Sequence, residues 1–137
     1  MNHKVTGNKG EAAVLHDMVE RGYTMFIEFG DNDKVDFIAM DKNYKTIKIQ
    51  VKASTEVDGK ATLWSYCAGP GGYGERYTKE QVDVFALYIP DRDMILYING
   101  TLGTSQCTLT FRLDTPKNNQ KKGIRMAEDY LDFERAT

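Results

Sequence analysis

Four residues, Glu11, Asp36, Gln50 and Lys52, have the types and the spacing that metal-assisted phosphodiester hydrolysis requires. That reaction needs a divalent cation to bind the phosphate and polarise a water, and hard oxygen donors to hold the cation. It also needs a positive group to orient the nucleophile or offset transition-state charge. Taken singly, each of the four reads as a solvated surface group. Their conjunction is more specific, because Ile47, Ile49 and Val51 alternate with Lys48, Gln50 and Lys52 in the two-residue period of a strand with one apolar and one polar face. Asp41-Lys42-Asn43-Tyr44 has turn chemistry, so this strand forms a hairpin with the segment carrying Asp36. With the turn centred between Lys42 and Tyr44, Asp36 faces residues 49 to 51, and Asp36, Gln50 and Lys52 converge on one small volume.

Glu11 must reach that volume from a helix. Asn8 is a suitable N-cap, Gly22 a suitable stop, and Val14, Leu15, Met18 and Val19 an apolar stripe, so a helix is expected from about Asn8 to Arg21. The spacing of Glu11 from Val14, Leu15 and Met18 turns it toward the core side. Strands are expected at Tyr23 to Phe29, Val35 to Met40, Thr46 to Ser54, Thr62 to Cys67, Val84 to Ile89 and Met94 to Ile98. Thr78-Lys79-Glu80-Gln81 reads as a capping box opening a short helix. Pro90 to Asp93 reads as a turn, Thr108 to Leu113 as an edge strand, Pro116 to Gly123 as a loop and Met126 to Phe133 as a terminal helix. The expected class is α/β, a mixed sheet flanked by helices in the order α-β-β-β-β-α-β-β.

Composition bounds the reading. At 137 residues, 41% apolar and 28% charged, the chain suits one globular domain spanning residues 1 to 137. No apolar run approaches the roughly 20 residues of a membrane span, and Met1-Asn2-His3-Lys4 lacks a secretory stretch, so a cytoplasmic protein with no membrane partner is expected. Cys67 and Cys107 read as reduced thiols, without support for a zinc site. The net charge of −2 confines any phosphate-binding surface to a local cluster of basic residues.

Val35-Asp36 followed by Gln50-Val51-Lys52, after a helix bearing Glu11, resembles the core of the PD-(D/E)XK nuclease superfamily. The glutamine resembles the D…QxK group I intron homing endonucleases. Gly10-Glu11 and Lys52-Ala53-Ser54 resemble, less closely, the archaeal Holliday-junction resolvases. The likeness covers residues 7 to 54 well and the Tyr77 to Ile98 region more loosely. It implies a restriction-endonuclease-like fold and a Mg²⁺- or Mn²⁺-dependent endonuclease acting on duplex or branched DNA as a homodimer or homotetramer. Asp36 would be the central metal ligand, joined by the Gln50 side-chain oxygen and the Val51 carbonyl. Lys52 would position or activate the attacking water, and Glu11 would hold a metal-bound water or second cation. Gln50 in place of an acid removes one negative charge, so a non-catalytic DNA-binding or interaction module on a decayed nuclease fold is the alternative.

Further DNA contacts are sought beside this core. The resemblance points to Ser54. Arg76, Tyr77 and Lys79 follow the glycine-rich loop Gly69 to Gly74 and are placed for phosphates, as are Lys117, Lys121 and Lys122 if DNA lies on that side. The loop lacks the lysine and spacing of a P-loop, which excludes an ATP site of that kind. Trp64 and Tyr66 could stack on bases or belong to the core, His3 and His16 have no partner at ligand spacing, and the Val84 to Ile98 strand pair suits an interface or the core.

Overall fold

The computed structural model describes residues 3–30, 33–68, 74–115 and 123–137. Helix α1 spans His3–Glu20, so it begins a full turn before Asn8, which lies inside it and not at its cap. It ends as expected. Gly22 takes φ 93°, and the Gly22 and Tyr23 N–H groups donate to the Val19 and Met18 carbonyls at 3.0 and 3.1 Å. That left-handed turn satisfies the last free carbonyls of the helix.

Gly10, Val14 and Met18, four apart, form the buried row of α1. The adjacent row contains Glu11 and Val19, both exposed, and half-buried Leu15. The expected core-side placement of Glu11 is therefore corrected. With about 100° per residue, Glu11 falls some 60° from Val14, at the margin of what the sheet covers.

Strands β1 (Thr24–Ile27), β2 (Phe37–Met40), β3 (Thr46–Ala53), β7 (Val84–Ile89) and β8 (Met94–Asn99) make one sheet in the order β1-β2-β3-β7-β8. Only β3 and β7 are parallel; the other neighbours are antiparallel. The β2–β3 turn is built as its composition predicts. The Asp41 carboxylate accepts from the Asn43 and Lys45 N–H groups at 2.8 and 2.9 Å, and Tyr44 takes φ 65°. The resulting register pairs Phe37 with Ile49 and Ala39 with Ile47.

Each sheet face has its own core. On one, Val14 and Met18 pack with Phe37, Ala39, Ile47, Ile49, Val51, Val84, Ala86 and Tyr97, and with Phe133 and Ala136 of α3 (Phe133–Ala136). On the other, a ribbon of β4 (Lys60–Trp64) and β9 (Thr108–Arg112) lays Ala61, Leu63, Leu109 and Phe111 against Phe85, Leu87, Ile89, Leu96 and Ile98. All six residues of β7 are buried, as a strand covered on both faces must be. The Val84 to Ile98 pair thus belongs to the core. The ribbon packs mainly over β7 and β8.

Elsewhere the elements are shorter or more numerous than expected. Thr62 to Cys67 divides between β4 and β5 (Tyr66–Ala68), which pairs with β6 (Gly74–Arg76). Thr78 to Gln81 makes the predicted capping bond, Thr78 N–H to Gln81 Oε1 at 2.9 Å, but stops after one turn because Val82 must enter the core and Asp83 the sheet. Helix α2 (Gly100–Gly103) was not foreseen, and the terminal helix is a 3₁₀ turn, Ala127–Tyr130, followed by α3. Among the described residues, no helix is long and apolar enough to cross a membrane.

Two features anchor this arrangement. A Cβ on Gly100 would lie 2.0 Å from the Val82 carbonyl oxygen, so Gly100→Ala must displace backbone. Urea titration is expected to show a loss of about 3 kcal/mol or more. The buried Tyr97 hydroxyl donates to Asp17, and the Tyr23 hydroxyl donates to Glu134 at 3.1 Å. Burial first, then these carboxylates, raises both phenols, Tyr23 to about 12 and Tyr97 further. Because the fold keeps these protons where the unfolded chain releases them, stability falls as pH rises from about 10 through 12. Alkaline titration at 295 nm followed by urea melts checks this.

Candidate active site

Asp36 stands immediately before β2. Its N–H donates to the Ile49 carbonyl at 3.0 Å, which locks it against β3. Its Oδ2 accepts from the Val51 N–H at 2.8 Å and from Gln50 Nε2 at 2.9 Å. Gln50 Nε2 also lies 3.5 Å from the Val51 carbonyl oxygen. The expected convergence of Asp36 and Gln50 across the hairpin is therefore present, and the Val51 carbonyl lies beside them.

Gln50 is 8% exposed, and its Oε1 is buried without a hydrogen-bond partner among the described residues. A buried polar atom left unsatisfied costs about 1–3 kcal/mol, so its position needs a reason. The arrangement fits a hard cation. Asp36 Oδ2, Gln50 Oε1 and the Val51 carbonyl are the neutral and anionic oxygens that Mg²⁺ and Mn²⁺ prefer. Half a turn of the terminal amide exchanges Nε2 for Oε1 beside Asp36, and two oxygens facing each other repel unless a cation lies between them. Among the described residues no group of three or more His, Cys, Asp or Glu side chains could hold a metal ion, so such a cation would depend on the amide and backbone oxygens.

Lys52 follows Gln50 on the same face of β3. Its Nζ donates to the Tyr66 carbonyl at 2.9 Å and lies 4.9 Å over the centroid of the Tyr77 ring. Neither support is near Lys52 in sequence, and no spacing announces either. A second unforeseen contact is the ion pair of Lys34 with Glu75 at 2.8 Å, which ties the segment before Asp36 to β6. Lys34 holds the exposed Glu75 carboxyl below its usual range, chiefly through that hydrogen bond.

Two clefts flank the arrangement. One, of about 440 Å³, is lined by Asp36 with Phe26, Ile27, Ile38, Lys34 and Lys48. The other, of about 400 Å³, is lined by Lys52 with Val51, Ser54, Thr6, Gly7 and Trp64. Glu11 is exposed one helical turn beyond Gly7 on the same row of α1, and it does not line either cleft.

The predicted DNA contacts divide. Lys79 is exposed. Arg76 is exposed with Nη2 donating to the Thr104 carbonyl at 2.7 Å. Ser54 lines the second cleft, and its hydroxyl accepts from the Thr62 N–H at 3.0 Å and donates to the Thr55 carbonyl at 3.1 Å. Tyr77 as a phosphate contact is corrected: at 5% exposure it is a core ring, edge-to-face with Phe85 at 5.7 Å. Trp64 is half exposed and meets Tyr66 edge-to-face at 5.5 Å. Lys117, Lys121 and Lys122 lie outside the described residues, as does the loop from Gly69 to Tyr73.

The PD-(D/E)XK endonuclease family profile matches residues 1–133. The bacterial homing endonuclease I-Ssp6803I superposes with a TM-score of 0.76 at 17% sequence identity, over 95% of this chain and 88% of that one. At that identity the likeness is one of fold. No curated protein matches the chain.

The orphaned Gln50 oxygen can be tested directly. Restoring a carboxylate with Gln50→Glu adds a full negative charge among the same oxygens, and Mn²⁺ is expected to bind about tenfold more tightly by calorimetry. Equal affinities would remove Gln50 from the ligand set.

Proposed function

Because the chain belongs to the PD-(D/E)XK endonuclease family, we propose that it is a divalent-metal-dependent DNA endonuclease whose site is formed by Glu11, Asp36, Gln50, Val51 and Lys52. The observation that carries this reading is the junction of Asp36 and Gln50, where a carboxylate and a backbone carbonyl meet the amide group of a glutamine whose own oxygen is buried without a partner among the described residues. Asp36, the turned Gln50 amide and the Val51 carbonyl would hold Mg²⁺ or Mn²⁺. The bound cation would neutralise a phosphate oxygen and acidify a water. Lys52 would orient that water and offset charge growing on the phosphate. Glu11 would hold a further water or a second cation. The residues form one nuclease domain, and two copies acting together would cut both strands of a duplex.

The fold shared with a bacterial homing endonuclease, together with Gln50, supports a homing- or restriction-type enzyme ahead of a junction resolvase. One observation favours a different class. The Gln50 Nε2 bond to Asp36 satisfies that carboxylate without any cation, as a non-catalytic DNA-binding module would require.

Cleavage separates these readings. Plasmid and four-way-junction DNA are incubated with the protein and Mn²⁺, beside Lys52→Ala and Asp36→Asn. The wild type is expected to cut plasmid, and each variant to be slower by at least about a hundredfold. Preference for the junction would select the resolvase. Cutting of neither substrate, or cutting that survives both substitutions, would leave the non-catalytic reading.

A further inference from the structure

We propose that Tyr77 is a positioning residue for Lys52, its ring face and the Tyr66 carbonyl together fixing the direction of the ammonium. The proposal rests on the nuclease reading for its catalytic consequence, but not for its geometry. A lysine carries its charge at the end of a flexible four-carbon stem, so a strand position alone does not aim it. Here two fixed groups among the described residues contribute to aiming it. The Tyr66 carbonyl accepts from Nζ along one direction at 2.9 Å, and the Tyr77 ring attracts the same ammonium through its negative face at 4.9 Å.

Both partners are themselves immobilised. The Tyr77 N–H donates to the Ser65 carbonyl at 3.1 Å, and the ring stands edge-to-face on Phe85, which is fully buried. Phe85 pairs with Gln50 in the β3–β7 ladder, so the ring that carries Lys52 is seated on the strand position next to the proposed ligand. Tyr66 is held by its pairing with Arg76 in β6. Close approach of that strand depends on Gly74, where a Cβ would lie 2.6 Å from Tyr66 Cδ2. The short β5–β6 pair and the residue after it therefore set the direction in which Lys52 points, although they lie outside the hairpin that bears it.

The test changes the ring's electrostatics while keeping a planar six-membered ring at the position. Position 77 is replaced by phenylalanine (Tyr77→Phe) and by pentafluorophenylalanine, which inverts the ring quadrupole. Two quantities are read: the single-turnover cleavage rate with Mn²⁺, and the ring-current shift of the Lys52 ε-methylene protons in ¹³C-lysine-labelled protein, assigned by their loss in Lys52→Ala. Tyr77→Phe is expected to keep the upfield shift and a rate within about twofold of wild type. Fluorination is expected to move the shift toward that of solvated lysines and to slow cleavage by roughly threefold to thirtyfold, with KM for DNA and the melting temperature unchanged. A shift and rate untouched by fluorination would overturn the proposal. So would a change in only one of the two, an equal effect of Tyr77→Phe, or a fall in melting temperature that accounts for the slower rate. If the wild-type protein cuts no DNA, the nuclease reading fails, and the Lys52 shift in DNA-free protein still decides whether Tyr77 positions it.

Discussion

The Asp36 carboxylate is held against the central strand by the Val51 N–H and the Gln50 amide, and much of the surrounding architecture exists in a form compatible with that contact. A half-buried carboxylate is costly unless its oxygens are hydrogen-bonded, and β3 meets that demand with one backbone and one side-chain donor. The contact requires the β2–β3 register, which in turn requires the Asp41 turn with its left-handed Tyr44. A slip of one residue would carry Gln50 and Lys52 to the α1 face and put Ile49 and Val51 into the cleft. Burial of Ile47, Ile49 and Val51 beneath α1 makes that slip prohibitively unfavourable, so the hydrophobic core enforces the polar geometry.

Coverage of the sheet is unequal on its two faces. The helical face is closed by α1 and α3, whereas the β4–β9 ribbon lays its apolar residues chiefly against β7 and β8 on the other. On that face of β3, Lys48 and Lys52 are half-buried and Gln50 is buried beside β7, all six residues of which are buried. The β5–β6 pair is tied by Lys34–Glu75 on one side and by the Lys52 contacts on the other. The ion pair is exposed and of little energetic weight by itself, so the packing of Tyr66 and Tyr77 carries more of the placement.

Likeness in fold at 17% identity follows from the same physics. Two apolar layers around a mixed sheet need volume and alternation, which many sequences supply, whereas chemistry is confined to a few positions on one strand face. A family profile spanning 1–133 can therefore coexist with very different side chains over most of the surface.

The sequence by itself determined the β2–β3 hairpin, its register, the stop of α1 at Gly22 and the β7–β8 pair, because turn chemistry and two-residue alternation are local signals. It also put Gln50 and Lys52 on one face, since residues two apart on a strand must share it, and set Asp36 opposite Gln50 through the hairpin register. It did not determine where α1 begins or that Glu11 lies at the margin of the buried row, because several rows of one helix look equally apolar until the sheet selects one. The Thr78 capping box closed locally yet made no helix, since Val82 was needed in the core. Only the tertiary structure decided that Tyr77 is interior, that it carries Lys52, and that Gln50 turns its amide nitrogen to Asp36. Those contacts join positions with no periodic relation, made neighbours by the crossing of separate strands, and a linear pattern holds no record of such a crossing.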